Sequence, residues 1–173
     1  VVDSDKKDIV FDILIPAIAK KEVSGYRFDE YWEDIGSIPT YFKASMRLLK
    51  NRAIITRKDW PIFTKGEGLA PAKYSPSSEV SESIVAEGCI VRGKVRRSIL
   101  FPGVVIEKGA EVEDSIIFNY SRVDRGARIR RAIIDKDAYI GRNVVFGDGG
   151  RAANLPELMK YCDTTFNSET GGI

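Results

Sequence analysis

The chain has 173 residues, of which 43% are hydrophobic and 30% charged, a composition typical of a globular protein with an apolar core. Its 27 basic residues nearly balance its 25 acidic ones, which argues against a nucleic-acid-binding protein. Histidine is absent, so no site within this chain can use an imidazole base or a histidine metal ligand. No apolar run reaches about 18 residues, so we expect no membrane partner. Two widely separated cysteines are typical of reduced thiols in a cytoplasmic protein.

The first part of the chain predicts a helix followed by a strand. The apolar stretch 8–20 is typical of a buried or amphipathic helix, which Pro16 should bend or interrupt. Aromatic residues then alternate at Tyr26 and Phe28, and this alternation predicts a strand over 23–31.

A second helix is predicted over 38–50, with Ser37 as its N-cap. Its inner face should carry Tyr41, Phe42, Ser45, Leu48 and Leu49. Two helices and one strand in about 50 residues cannot enclose a core of their own. We therefore interpret residues 1–50 as the C-terminal remnant of a larger α/β domain, followed by an extended, proline- and glycine-containing linker over 51–79.

The second half of the chain repeats itself with a period of 17 residues. The segment Ser98–Phe101 recurs at 115–118 and again at 132–135. The same period relates Ile106, Val123 and Ile140, then Val112, Ile129 and Phe146, and then Gly109, Gly126 and Asn143. An earlier segment, VAEGCIV at 85–91, matches IEKGAEV at 106–112 and is interpreted as a preceding turn of the repeat.

Within each repeat, aliphatic residues return about every six positions, which is too long a spacing for a helix. Six residues make a short strand and a tight corner, and three such units close one triangular coil. The pattern resembles the hexapeptide repeats of left-handed parallel β-helices, so we predict a mainly β fold of this type over 80–173. An antiparallel sandwich remains the alternative, although it would not require coils in identical register.

The repeat breaks after Gly147. Residues 148–170 are polar and are interpreted as a loop inserted before another coil. We expect that the sequence is truncated at Gly171-Gly172-Ile173, where a new strand would begin.

Three segments resemble one enzyme family, the glucose-1-phosphate adenylyltransferases, in the C-terminal portion of those proteins. The first is YRFDEYWEDIGSIPTYFKASMRLL at 26–49, which resembles the end of the family's nucleotidyltransferase domain. The others are GLAPAKYSPSSEVSESIVAEGCIV at 68–91 and RRAIIDKDAYIGRNVVF at 130–146, which resemble its β-helix. Ser37 stands where the family has threonine, and Ala44-Ser45 stands where it has Ala-Asn.

The resemblance implies that the parent protein converts ATP and glucose 1-phosphate to ADP-glucose and pyrophosphate, in bacterial glycogen or plant starch synthesis. It places the parent in the bacterial cytosol or in a plastid. Asp34 matches a family aspartate that binds Mg²⁺ with a second aspartate earlier in the domain, whereas by itself it could be an exposed turn acid. The nucleotide loop and the other catalytic residues would lie outside this chain. The fragment alone is therefore expected to be inactive.

The resemblance also implies an allosteric site and an oligomer. Lys136 matches a lysine that binds a phosphorylated metabolite in plant and cyanobacterial relatives, and Arg130 and Arg131 fit a phosphate cradle. Asp137 and Tyr139 replace the usual asparagine and arginine. The β-helix is expected to serve regulation and assembly, in a homotetramer or in a hetero-oligomer with a sister subunit.

Three other functions fit parts of the sequence. β-Helix acyltransferases resemble the second half, but many use a histidine base, which this chain lacks. A non-catalytic regulatory or assembly subunit of the same family is a second alternative, because such subunits usually lose residues in the region that would lie outside this chain. Another sugar-nucleotide pyrophosphorylase, such as mannose-1-phosphate guanylyltransferase, is less favoured by the segments YWEDIG and RRAIIDKDAYIG.

Overall fold

The computed structural model describes residues 8–51, 63 and 65–147. The chain divides into two units, Val1–Trp32 and Glu33–Ile173. The predicted inserted loop at 148–170 and the three residues after it lie outside the described residues, as do residues 52–62 and 64 of the predicted linker.

In the first unit, the predicted helix over 8–20 is confirmed as helical, but none of its residues is buried, and it changes type at its proline. A π-helical turn, Val10–Leu14, continues into helix α1, Ile15–Ala19. The Ile15 N–H donates to the Val10 carbonyl five residues back, and Pro16, which has no N–H, occupies the first turn of α1. The proline therefore interrupts the regular α-helical ladder, as expected, without ending the helix.

The strand predicted over 23–31 is wrong. These residues have no regular secondary structure, and 89% of Tyr26 and 49% of Phe28 is exposed. A strand is held by the ladder hydrogen bonds of a neighbouring strand, and no described residue pairs with this segment. Alternation of aromatic residues alone does not supply that partner.

In the second unit, the predicted helix is confirmed as α2, Ile38–Lys50. Ser37 and Thr40 form a reciprocal capping box, in which the Ser37 N–H donates to Thr40 Oγ1 at 3.1 Å and the Thr40 N–H donates to Ser37 Oγ at 3.4 Å. Two of the N-terminal N–H groups that a helix leaves unpaired are satisfied in this way.

After residue 72 the described chain forms short parallel strands. They are β1 (Lys73–Tyr74), β2 (Glu79–Ser81), β3 (Ile84–Val85), β4 (Ile90–Val91), β5 (Lys94–Arg96), β6 (Ile99–Leu100), β7 (Val105–Ile106), β8 (Glu111–Glu113), β9 (Ile116–Ile117), β10 (Arg122–Val123), β11 (Arg128–Arg130), β12 (Ile133–Ile134), β13 (Tyr139–Ile140) and β14 (Val145–Phe146). Each strand pairs in parallel with the third strand after it, which makes a three-sided β-helix. Sheet A is β1-β4-β7-β10-β13, sheet B is β2-β5-β8-β11-β14, and sheet C is β3-β6-β9-β12.

The predicted stacking of aliphatic residues is confirmed. Val123 pairs with Ile106 in the coil before it and with Ile140 in the coil after it. Ile129 pairs in the same way with Val112 and Phe146. These columns point inward and build the core, in which Ile106, Val112, Val123 and Ile129 are at most 1% exposed.

The first coils differ from the prediction in register and in length. β1 begins at Lys73, inside the segment predicted as linker. Segment 85–91 pairs with 100–106 rather than with 106–112, because Val85 lies beside Leu100.

One coil has fifteen residues instead of seventeen, since Val80 pairs with Val95. The shortening falls between β4 and β5, which are joined by Arg92 and Gly93 alone, whereas four residues, 107–110, join β7 to β8. A Cβ on Gly93 would lie 2.7 Å from the Glu107 carbonyl oxygen and closer still to that of Ala110. Glycine is required there because the shortened corner lies against the next coil.

Helix α2 contacts the β-helix at an aromatic residue that directly follows strand β9 of sheet C. Tyr41 stacks on Phe118 with ring centroids 6.2 Å apart, and Phe118 in turn contacts Phe101 at 4.7 Å. Ile116 points away from the core, yet it is fully buried. Most of the charged residues that concern the candidate sites lie at or beside the corners that join the three sheets.

Candidate effector site and metal-ligand residue

Asp34 lies in the exposed turn that precedes α2. Its Oδ1 accepts a hydrogen bond from the Gly36 N–H at 2.9 Å, which makes Asp34 the acid of a tight turn. Within the described part of the chain, no three cysteine, aspartate or glutamate side chains are grouped as metal ligands. A carboxylate oxygen suits Mg²⁺, which also keeps water and substrate phosphates as ligands. Asp34 can therefore supply one ligand of a Mg²⁺ site but cannot hold the ion alone.

Arg130 and Arg131 lie at the B–C edge, the corner that joins sheet B to sheet C. This edge consists of residues 81–83, 96–98, 113–115 and 130–132. Arg130 ends β11 and pairs with Glu113 of the preceding coil at 3.1 Å. Arg131 follows in the turn, with a positive φ of 52°.

At this edge the sign of the charge alternates from coil to coil. Arg96-Arg97, Glu113-Asp114 and Arg130-Arg131 occupy successive coils. Glu113 pairs with Arg96, Arg97 and Arg130, while Arg97 binds both oxygens of Asp114, at 2.6 Å and 2.7 Å. Arg130, predicted as part of an anion site, thus already has a carboxylate partner.

The pKa values of Glu113 and Asp114 reflect the alternating charges at this edge. The hydrogen bonds from Arg97 hold the pKa of Asp114 below its ordinary value. Burial raises the pKa of Glu113, but the hydrogen bonds from Arg96 and Arg97 outweigh burial, and the net pKa is lowered. Both carboxylates are therefore charged at neutral pH and act as counter-ions inside the edge.

Buried serines support the same edge from within. The Ser98 hydroxyl donates to the Arg96 carbonyl at 2.8 Å, and its oxygen accepts from the Ser115 N–H at 3.1 Å. Ser115 repeats the pattern with the Glu113 carbonyl and the Ala132 N–H. Because each serine links two coils, the charged residues beside it are held in register.

Lys136 lies at a different corner, the C–A edge, which joins sheet C to sheet A over 86–89, 101–104, 118–121 and 135–138. It is exposed, and its N–H donates to Asp135 Oδ1 at 2.7 Å. Strand β12 separates Lys136 from Arg131. The structure therefore places the three predicted effector residues on one coil but at two edges.

Sequence reasoning missed a charged cluster at the third corner, the A–B edge. This edge joins sheet A to sheet B through residues 75–78, 92–93, 107–110, 124–127 and 141–144. Glu107, only 7% exposed, pairs with Arg92 at 3.2 Å and with Arg122 at 2.7 Å. The 17-residue period would have identified this cluster if it had been applied to charged residues.

Asp124 occupies the position of Glu107 in the next coil and is also 7% exposed. It accepts from the Tyr139 hydroxyl at 2.7 Å, from the Arg125 N–H at 2.7 Å and from Arg142 Nε at 3.4 Å. The bond from Tyr139 is the main reason that the pKa of Asp124 is lowered, and the same bond raises the pKa of Tyr139. Tyr139, which replaces the arginine usual in the resembled family, here anchors an acid.

No helix in the ranges that the structure describes, 8–51 and 65–147, has the length and apolar content required to span a bilayer.

Comparison with known proteins identifies the repeat. A family model described as "GlmU-like, C-terminal hexapeptide" matches residues 70–153. This match agrees with the three-sided coil and confirms the predicted fold class, a mainly β, left-handed parallel β-helix.

Comparison with curated proteins finds relatives that share one name. A glucose-1-phosphate adenylyltransferase of Acetivibrio thermocellus is 38% identical over 85% of this chain and 35% of its own length. One of Bacillus cytotoxicus is 32% identical over 75% of this chain and 33% of its own length. Glucose-1-phosphate adenylyltransferase 2 of Alkalilimnicola ehrlichii is 36% identical over 68% of this chain and 30% of its own length. The chain thus spans about a third of the length of these relatives. Residues 70–153 therefore match the GlmU-like hexapeptide family model, and over 85% of its length the chain is homologous to part of a glucose-1-phosphate adenylyltransferase.

Proposed function

We propose that this chain is the regulatory and assembly portion of a glucose-1-phosphate adenylyltransferase, as the resemblance at 26–49, 68–91 and 130–146 implies. The observation that carries the proposal is the 38% identity to an enzyme of that name over 85% of this chain. The parent protein would transfer an adenylyl group from ATP to glucose 1-phosphate and release pyrophosphate. A β-helix suits an assembly role, because its coils present flat, rigid faces.

Asp34 would be this chain's contribution to the catalytic metal site. Bound Mg²⁺ neutralises phosphate charge in reactions of this class. The exposed turn before α2 leaves the Asp34 side chain accessible, and its bond to the Gly36 N–H fixes the orientation of the carboxylate.

The metal-ligand role is tested in the full-length protein. Asp34→Asn keeps the shape of the side chain and removes its charge, so the rate of pyrophosphate release should drop by orders of magnitude with an unchanged circular dichroism spectrum. Asp29→Asn is the matched control, because Asp29 is exposed and pairs with the nearby Arg27. A near-normal rate for Asp34→Asn at low Mg²⁺ would assign Asp34 to the turn alone. The 173-residue chain by itself should release no pyrophosphate above background.

Lys136 would bind a phosphorylated metabolite at the C–A edge, whereas Arg130 and Arg131, which lie beyond β12 at the B–C edge, would contribute only longer-range positive charge. Lys136 is exposed and is the best placed of the three for a soluble anion, since Arg130 pairs with Glu113. In the full-length protein, Lys136→Ala should raise the activation midpoint for fructose 1,6-bisphosphate or 3-phosphoglycerate about 10–100-fold. Basal activity should hardly change, and the exposed Lys65→Ala is the control. An unchanged midpoint for every activator would reject the site.

A further inference from the structure

Three cations are stacked at the A–B edge. Lys108, Arg125 and Arg142 are 17 residues apart and follow Glu107, Asp124 and Gly141, the residues that leave sheet A in three successive coils. Neighbouring coils lie about 4.8 Å apart, so the backbone positions of the column span about 10 Å. All three side chains are in exposed positions.

The acidic residues of this edge already have hydrogen-bond or ion-pair partners. Among the described residues, the Lys108 and Arg125 side chains make no ion pair, and Arg142 has only the 3.4 Å contact with Asp124. Glu107 and Asp124 are both nearly buried, and Glu107 pairs with Arg92 and Arg122. The edge therefore presents its positive charge to solvent and keeps its negative charge beneath the surface.

Like charges directly opposite one another on neighbouring strands are destabilising, so this column costs stability when nothing binds it. We propose that Lys108, Arg125 and Arg142 form a binding site for a soluble ligand that carries two phosphate groups. One phosphate can bridge two adjacent cations, and a second phosphate reaches the third. Because the three residues project from a rigid parallel coil, the spacing of their backbone positions is set before the ligand arrives.

This site is separate from the Lys136 corner and does not require the proposed transferase function. Lys136 lies at the C–A edge, and its counterparts in the other coils, Glu87, Pro102 and Asn119, are not cations. The A–B edge therefore differs from the Lys136 corner in repeating its positive charge from coil to coil.

The test is calorimetric titration of the 173-residue chain with inorganic pyrophosphate and with inorganic phosphate, at fixed ionic strength. Pyrophosphate should bind at least about 10-fold more tightly than phosphate, because it contacts an additional cation. Arg125→Gln removes the central cation and should weaken pyrophosphate binding about 10–100-fold. Lys136→Gln, a substitution of an exposed lysine at another edge of the same solenoid, should leave it unchanged.

Thermal unfolding separates ligand binding from a loss of structure. Without phosphate, Arg125→Gln should raise Tm, because it removes the central repulsion of the column. With pyrophosphate, the wild type should gain more in Tm than the variant. Equal pyrophosphate affinity for wild type and Arg125→Gln, or an equal loss in Lys136→Gln, would overturn the proposal. A lower Tm for Arg125→Gln without phosphate would also contradict it.

Discussion

The A–B and B–C edges are built on the same coils but order their charges differently. At the B–C edge, Arg97, Asp114 and Arg131 alternate in sign, so each acid lies between bases. At the A–B edge, the outermost column repeats a positive charge at Lys108, Arg125 and Arg142. The first edge neutralises itself and holds neighbouring coils together. The second leaves its charge for something else to neutralise.

This difference shows that the period of a repeat protein determines which side chains stack on one another. It does not determine whether the stacked side chains stabilise or destabilise the fold. Two residues one coil apart always lie beside each other, and their chemistry decides whether they attract or repel. Charge order along a column therefore separates edges that stabilise the solenoid from edges that are available for binding.

The largest expected effect is on the core column that holds both edges in register. Val123 is fully buried between Ile106 and Ile140, so Val123→Asp would bury an unpaired charge. We expect a loss of several kcal/mol of stability, and both edges should be lost together. Thermal unfolding followed by circular dichroism measures the loss. Val145→Asp is the control, since Val145 is 58% exposed, and it should melt close to the wild type. Wild-type melting of Val123→Asp would show that the stacking register is wrong.

The next largest effect should follow from making the B–C edge resemble the A–B edge. Glu113→Arg would place a fourth guanidinium among Arg96, Arg97 and Arg130 and remove their shared carboxylate. We expect a loss of about 2 kcal/mol, because Glu113 is only 16% exposed and accepts several charge-assisted hydrogen bonds.

Glu111→Arg is the control for that substitution. Glu111 is 46% exposed and lies 3.7 Å from its partner Arg128, so its replacement should cost less than about 1 kcal/mol. Equal losses for the two variants in chemical denaturation would remove the distinction between a network and an isolated surface pair.

Low pH should remove the contribution of the B–C edge to the stability of the fold. The pKa values of Glu113 and Asp114 are lowered by folding, so their stabilisation is complete above the ordinary carboxyl range near pH 4 and is lost as pH falls through the folded pKa. The Tm difference between wild type and Glu113→Gln should therefore be largest near neutral pH and shrink below about pH 4. A difference that grows towards acid pH would have the wrong sign.

The smallest effect should come from making the charges of the A–B edge alternate in sign. Arg125→Glu would place an acid between Lys108 and Arg142, as Asp114 lies between Arg97 and Arg131. We expect Tm to rise by roughly 1–3 °C at low salt, because exposed pairs contribute little. The gain should disappear near 1 M salt, where the Debye length is about 3 Å. A fall in Tm at low salt would show that Arg125 is not repelled by its neighbours.

The β-helix could be predicted because one property, burial of an aliphatic side chain, recurs at a fixed period. The 17-residue spacing of Ile106, Val123 and Ile140 is enough to predict that they form a column, and their pairing confirms it. The register of the first coils could not be found in this way, because each side of the triangle has a similar hexapeptide. Segment 85–91 fits two sides of the coil equally well by sequence, and only the pairing of Val85 with Leu100 decides between them.

The candidate sites were less predictable because they depend on partners in other coils. Arg130 and Arg131 are adjacent in sequence, which suggested a phosphate cradle, but the partner of Arg130 lies 17 residues earlier at Glu113. The strand over 23–31 failed for a related reason, since a strand requires a partner that the segment itself does not contain. The helix over 38–50 succeeded because its cap and its inner face are local features.

The two-residue corner at Arg92 and Gly93 shows how such a solenoid can change length during evolution. The strands on either side keep their pairing although this coil is two residues shorter than the others. The difference in length therefore falls at a corner and not within the sheets. The shorter corner requires a glycine, because Gly93 lies against the carbonyl oxygens of the next coil. A lineage or a designer could therefore shorten a corner while leaving the core columns intact, provided that the residue nearest the neighbouring coil has no side chain.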